Sequence, residues 1–109
     1  MKTLIKNGRI ITPDGTVEAN LAFEDGKITY IGPDMVCADS QIDVEGQYVS
    51  PGFIDMHTHG AGGADFMDGT VDAYLTAARM HTLHGTTLLY PTTLTSSNEL
   101  LFESFDTFR

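Results

Sequence analysis

The sequence has little cysteine, little positive charge and no long apolar run. Its one cysteine, Cys37, cannot form a disulfide within the chain and fits a reducing compartment. Six Lys and Arg against fifteen Asp and Glu give a formal net charge of −9, which should repel phosphate backbones and anionic membranes. No window is apolar over the roughly 18 residues of a membrane span, and the run after Met1 is too short for a secretory signal. We expect a cytoplasmic protein with no nucleic-acid or membrane partner.

The first 50 residues have the pattern of a small antiparallel β-sheet. Short β-rich runs alternate with Asp14-Gly15 and Asp25-Gly26, dipeptides that supply the positive φ angles of tight hairpin turns. Residues 32–40 have the composition of a loop, and residues 41–49 alternate as a further strand that Gly46 interrupts.

The pattern changes at Pro51, and residues 51–109 predict the order strand, helix, strand, helix. Residues 53–59 and 86–90 are strand-like, with the apolar content of strands buried on both faces of a parallel sheet. Thr70 can cap the first helix, His84 and Gly85 can end it, and the Ser96–Glu99 spacing predicts a capping box before the second. The apolar stripe of the first helix is expected to be Val71, Tyr74, Leu75 and Ala78. Because a closed (β/α)8 barrel takes roughly 250 residues, we expect the first part of such a barrel within a longer enzyme.

His57 and His59 are the strongest candidates for a functional site. Side chains two residues apart on a strand point to one face, so the two imidazoles would lie together at the carboxyl end, where α/β proteins collect ligands. Two neutral imidazoles suit zinc, iron, nickel or cobalt, but a site needs three or four ligands. The alternative is a pair of ordinary histidines. Asp55 on the same face could orient one of these rings. The other pair, His81 and His84, has no carboxylate partner in the sequence and is expected to be structural or solvent-facing.

The glycine-rich segment after His59 leaves two interpretations open. Gly60, Gly62 and Gly63 could expose backbone N–H groups to an anion, or they could form a plain turn between strand and helix. Asp65 and Asp68 could act as a base or support a metal ligand, although acidic residues before a helix more often stabilise its positive end.

Three motifs together resemble the start of proteins of the amidohydrolase superfamily: "NGRI", "FEDGKITYIG" and "YVSPGFIDMHTHGAGGADFMDGT". Within that superfamily the glycine-rich "HGAGGADFMD" and the later "HGTTLLYPTTLTSS" are most similar to N-acetylglucosamine-6-phosphate deacetylases. The resemblance implies an α/β chain in which residues 1–50 form part of a small β-sandwich and residues 51–109 begin a metal-dependent (β/α)8 TIM barrel.

The same resemblance implies a function. His57 and His59 match the metal ligands on the first barrel strand of the family. The resemblance implies a divalent metal, for which we expect zinc, with iron or another divalent metal as the alternative. The implied reaction is metal-assisted hydrolysis of the acetamide of N-acetylglucosamine 6-phosphate to glucosamine 6-phosphate and acetate, in a homodimer. The family's catalytic aspartate and other ligands have no counterpart here, so these residues alone should be inactive.

Other members of the superfamily remain alternatives: a hydantoinase, a dihydroorotase or a deaminase. Dihydroorotases commonly carry an arginine two residues after the second histidine, a position that Ala61 occupies here, which argues against them. The remaining alternative is an inert segment that binds no metal by itself.

Overall fold

The computed structural model describes all of residues 1–109, which form two compact units, Met1–Pro51 and Gly52–Arg109. The first unit is a five-stranded sheet whose strands are β1 (Lys2–Thr12), β2 (Gly15–Glu24), β3 (Lys27–Gly32), β4 (Ser40–Asp43) and β5 (Tyr48–Val49). The strand order is β3-β2-β1-β4, and β5 also pairs with β1. The buried side chains that hold it together are Thr3, Leu4, Ile10, Asn20, Leu21 and Ala22.

Two hairpins join the first three strands, as the sequence predicts. Asp25 and Gly26 link β2 to β3 with φ angles of 49° and 74°, which is the positive-φ pair of a type I′ turn. The first hairpin is displaced by one residue, because Thr12 pairs with Gly15 and the two loop residues are therefore Pro13 and Asp14.

The prediction of a purely antiparallel sheet is wrong for the last two strands. Both β4 and β5 pair with β1 in parallel. The chain leaves β3 at one edge and returns along the free side of β1 in the direction of β1 itself. Residue alternation indicates which side chains share a face, but it carries no information on strand direction.

The second unit is a β-α-β unit followed by a further helix. Its regular elements are β6 (Phe53–Thr58), β7 (Gly60–Ala61), β8 (Ala64–Asp65), a 3₁₀ turn (Phe66–Asp68), α1 (Val71–Leu83), β9 (Thr86–Pro91) and α2 (Asn98–Phe108). Strands β6 and β9 pair in parallel with α1 as their connection, and β7 and β8 form a separate antiparallel hairpin. Neither helix is long and apolar enough to cross a membrane.

The ends of α1 agree with the sequence signals. The Thr70 hydroxyl accepts a hydrogen bond from the N–H of Ala73 at 3.2 Å, which satisfies one of the free donors of the first turn. At the other end His84 is the C-cap and Gly85 has a φ of 92°. For α2 the cap is Ser97, one residue later than the predicted capping box, and its hydroxyl accepts from the N–H of Leu100.

The predicted burial of the second unit is only partly correct. On α1 the buried residues are Ala73 and Ala77, whereas Val71 and Leu75 of the expected stripe are exposed. These two residues instead line an open apolar cavity of about 390 Å³, together with residues of α2 and β9. Strand β6 is likewise exposed at its apolar residues, such as Met56 at 77%. It pairs with one strand only, so its side chains lack the second layer that buries a strand of a complete parallel sheet.

Candidate metal site

The two histidines lie together at the carboxyl end of β6, as the two-residue strand period predicts. Their ring centroids are 5.0 Å apart and the ring planes are inclined at 83°. His57 is exposed, and its backbone N–H donates to Asp55 Oδ1 at 3.1 Å. His59, just beyond the strand, is half-buried. Both rings are therefore available to a ligand placed at this end of the sheet.

The orientation of the His59 ring is set by Thr92, which follows β9. Nδ1 of His59 lies 3.0 Å from the carbonyl oxygen of Thr92. A carbonyl oxygen can only accept, so Nδ1 must carry the proton and Nε2 of the neutral ring keeps its lone pair. The N–H of Thr92 in turn donates to the carbonyl oxygen of Thr58 at 2.8 Å. Thr92 thus contacts the end of β6 twice, through the carbonyl of Thr58 and through the ring of His59.

This donor set fits a divalent metal of the zinc type. Metal-ligating histidines usually donate their second ring nitrogen to a carbonyl or carboxylate oxygen, as His59 does here. Two imidazoles are fewer than the three or four protein ligands of a zinc site, and residues 1–109 contain no group of three or more His, Cys, Asp or Glu side chains placed so that they could hold a metal ion. The chain therefore offers one ring nitrogen oriented by a hydrogen bond, on His59, and a second imidazole, on His57, and a metal site would need further ligands from outside these residues.

Asp55 contacts a different histidine from the one expected. Its Oδ2 lies 3.7 Å from Nδ1 of His81, on α1, while its Oδ1 accepts from the backbone of His57. The Nε2 of His81 lies 3.1 Å from the hydroxyl of Thr58. The expectation that His81 lacks a carboxylate partner is therefore wrong, because folding brings Asp55 to it from a distant point in the sequence. His84 is exposed, as predicted, and its Nδ1 lies 2.9 Å from the Met80 carbonyl.

The glycine-rich segment is a tight hairpin. Strands β7 and β8 pair directly, and Gly62 and Gly63 form the turn with φ angles of 65° and 83°. Asp65 and Asp68 then cap the 3₁₀ turn reciprocally: Asp65 Oδ1 accepts from the N–H of Met67 at 2.8 Å, and Asp68 Oδ2 accepts from the N–H of Asp65 at 2.9 Å. Both carboxylates are thus engaged with backbone donors, which supports a structural role for them.

Comparison with known proteins shows which proteins this chain is similar to. No family model matches the chain. A D-hydantoinase of Ralstonia pickettii is 43% identical over 89 residues, which are 82% of this chain and 19% of that protein. Among solved structures, N-acetylglucosamine-6-phosphate deacetylase from Pasteurella multocida has a TM-score of 0.87 at 26% identity, covering 98% of this chain and 29% of that one. A D-hydantoinase structure has a TM-score of 0.64 at 37% identity, and the match covers 99% of this chain and 24% of that one.

These matches span most of the present chain but only a minor part of each relative, between 19% and 23% of the D-hydantoinases matched by sequence. They confirm the predicted fold class, a mixed α/β chain that corresponds to the N-terminal part of proteins with a TIM barrel. The resemblance to N-acetylglucosamine-6-phosphate deacetylases is also confirmed at the level of the backbone. In sequence and in backbone, the chain is similar to the N-terminal part of proteins of the amidohydrolase superfamily.

Proposed function

We propose that this chain contributes His57 and His59 to the divalent-metal site of an N-acetylglucosamine-6-phosphate deacetylase. The observation that carries the proposal is the backbone likeness to the deacetylase of Pasteurella multocida, at a TM-score of 0.87 against 0.64 for the hydantoinase structure. The paired imidazoles at the strand end supply a donor set that suits zinc, with iron as the alternative. The substrate would be the acetamide of N-acetylglucosamine 6-phosphate, and the products glucosamine 6-phosphate and acetate.

In this proposal the residues of this chain hold and orient the metal. A divalent ion held by Nε2 of His59 and by the His57 ring would supply Lewis-acid chemistry, polarising the amide carbonyl and activating water near neutral pH. The bond to the Thr92 carbonyl fixes the His59 tautomer and increases the basicity of Nε2. The buried Thr58 between the two histidines anchors the strand end. The proton acceptor of the reaction would lie outside these residues.

A D-hydantoinase is the second candidate, favoured by the identity of 43% over 89 residues to the enzyme of Ralstonia pickettii. Both reactions hydrolyse an amide bond, and both would use the same paired imidazoles. They differ in the substrate, a cyclic diamide in one case and a linear acetamide on a phosphorylated sugar in the other. The two candidates are therefore separated by turnover and not by metal content.

The experiment uses the full-length protein that contains this chain, loaded with zinc. Acetate release is measured with N-acetylglucosamine 6-phosphate and with unphosphorylated N-acetylglucosamine, and ring opening is measured with hydantoin. We expect acetate release from the phosphorylated sugar and no ring opening. Ring opening without acetate release would replace the first proposal with the second.

Metal content tests the histidines independently of the substrate. His57→Ala and His59→Ala should each lower the amount of zinc that survives dialysis and should abolish turnover. His84→Ala is the matched control, because it makes the same substitution at an exposed histidine outside the site and should retain both. Undiminished zinc in a His57→Ala/His59→Ala double variant would contradict the assignment of these ligands.

A further inference from the structure

We infer that His81, on α1, is a positioning residue for the paired histidines, acting through the hydroxyl of Thr58. This inference rests on the proposed function, because it assigns His81 a role only if His57 and His59 bind the metal. The His81 side chain is 17% exposed and lies between two partners on β6. Its Nε2 is 3.1 Å from Thr58 Oγ1, and its Nδ1 is 3.7 Å from Asp55 Oδ2.

Thr58 is the centre of this arrangement because it lies between the two histidines in the chain. It is buried, and its hydroxyl is within 3.3 Å of the Gly60 carbonyl, at the start of the turn that leaves the site. Its own carbonyl accepts from the N–H of Thr92, the residue whose carbonyl fixes the His59 ring. A movement of Thr58 would therefore displace both the backbone of His59 and the oxygen that selects its tautomer.

His81 is the contact that ties this strand end to the helix. The pairing register between β6 and β9 shifts between Asp55 and Thr58, so the ladder is interrupted there before it resumes at Thr58. The two ring nitrogens of His81 contact residues at both ends of this interrupted segment. His81 thus adds a link from the helix at the point where the pairing of the strands is irregular.

The test measures zinc affinity in the full-length protein by competition with a chelator. His81→Ala should weaken zinc binding by about 10- to 100-fold, the usual effect of losing a residue that orients a metal ligand. His81→Gln should restore most of it, because the glutamine amide can reach the Thr58 hydroxyl. His84→Ala, three residues further along the chain, is the control and should bind zinc with unchanged affinity.

Thr58→Val keeps the shape of the side chain and replaces its hydroxyl by a methyl group, so the contacts with His81 and with the Gly60 carbonyl are both lost. If His81 acts through that hydroxyl, Thr58→Val should lower the zinc affinity by a similar factor. The Thr58→Val/His81→Ala double variant should then lose no more zinc affinity than either single variant. Additive losses would overturn the inference, as would unchanged affinity in His81→Ala. Should His81→Ala fail to fold, Thr58→Val and His81→Gln still decide the question.

A second readout is independent of the metal. In the metal-free protein, the imidazole nitrogens of His59 should report the Nδ1–H tautomer by ¹H–¹⁵N correlation, and Thr58→Val should shift this ring towards a mixture of tautomers. An unchanged tautomer would also overturn the inference. If the His57→Ala/His59→Ala variant keeps its zinc, the proposed site itself fails. If that variant loses zinc while His81→Ala does not, only the role of His81 fails.

Discussion

Ser104→Ala should loosen the packing between α2 and the 3₁₀ turn of the second unit. Ser104 is fully buried, and its hydroxyl donates to the carbonyl oxygen of Phe66 at 2.9 Å. Ser104 Oγ also lies 2.8 Å from the hydroxyl oxygen of Tyr74, on α1. One small side chain therefore joins three elements, and alanine removes both contacts without adding volume.

The expected cost follows from the groups left behind. The Tyr74 hydroxyl keeps a 3.1 Å bond to the Ser104 carbonyl, but the Phe66 carbonyl keeps only the N–H of Gly69 at 3.4 Å. Two neutral hydrogen bonds at about 0.5–1.5 kcal/mol each give a loss of about 2 kcal/mol. Tyr74→Phe removes the one hydroxyl proton that the Ser104 hydroxyl and the Ser104 carbonyl share, and it should cost about 1 kcal/mol because the bond from Ser104 to Phe66 survives that change.

Hydrogen exchange of the α2 amides in the full-length protein measures this loss locally, as a fall in the opening free energy of that helix. Ser50→Ala, at an exposed serine, is the matched control and should change nothing. If Ser104→Ala differs from this control by less than about 0.5 kcal/mol, the typical range of surface substitutions, the argument from the buried hydroxyl is refuted.

Two further predictions concern other parts of the chain. The side-chain amide of Asn7 holds the pKa of Asp43 below its ordinary value, so Asn7→Gly, which tolerates the φ of 58° at that position, should raise this pKa in an NMR titration. The associated stabilisation should be present above the ordinary carboxyl pKa and lost as the pH falls through the lower folded-state value; an unmoved pKa would contradict this. Gly60→Ala should destabilise the protein more than Gly63→Ala in urea unfolding, because a Cβ at Gly60 would meet the Ala64 carbonyl while one at Gly63 meets nothing, and equal losses would argue against it.

The features predicted correctly from sequence are those decided by a few neighbouring residues. Thr70 caps α1 because its hydroxyl reaches a donor three residues away, and Gly85 follows the helix because the chain there needs a positive φ. The side-by-side rings of His57 and His59 follow from the two-residue strand period alone. Each of these signals is complete within about one turn of helix or one strand.

The features that sequence reasoning missed depend on partners that lie far apart in the chain. The parallel direction of β4 and β5 is set by where the chain returns to β1, which alternation does not encode. The approach of Asp55 to His81 exists only after α1 has crossed back over the strand pair. The exposed Met56 and Leu75 carry apolar signals typical of burial, but a two-stranded sheet has no second layer to cover them.

The candidate site depends both on neighbouring residues and on residues that lie far apart in the chain. This limits which reaction can be inferred from it. The His59 ring contacts the carbonyl of Thr92, just after β9, and His81 on α1 contacts Thr58 on β6, so one β-α-β unit brings these contacts together. Under the proposed function, such a unit would present the same two imidazoles to a metal whether the enzyme is a deacetylase or a hydantoinase. The high identity to one enzyme and the close backbone match to the other are therefore compatible. Selection between a linear and a cyclic amide must come from residues that contact the substrate, so substrate turnover is a stricter test of the function than metal binding.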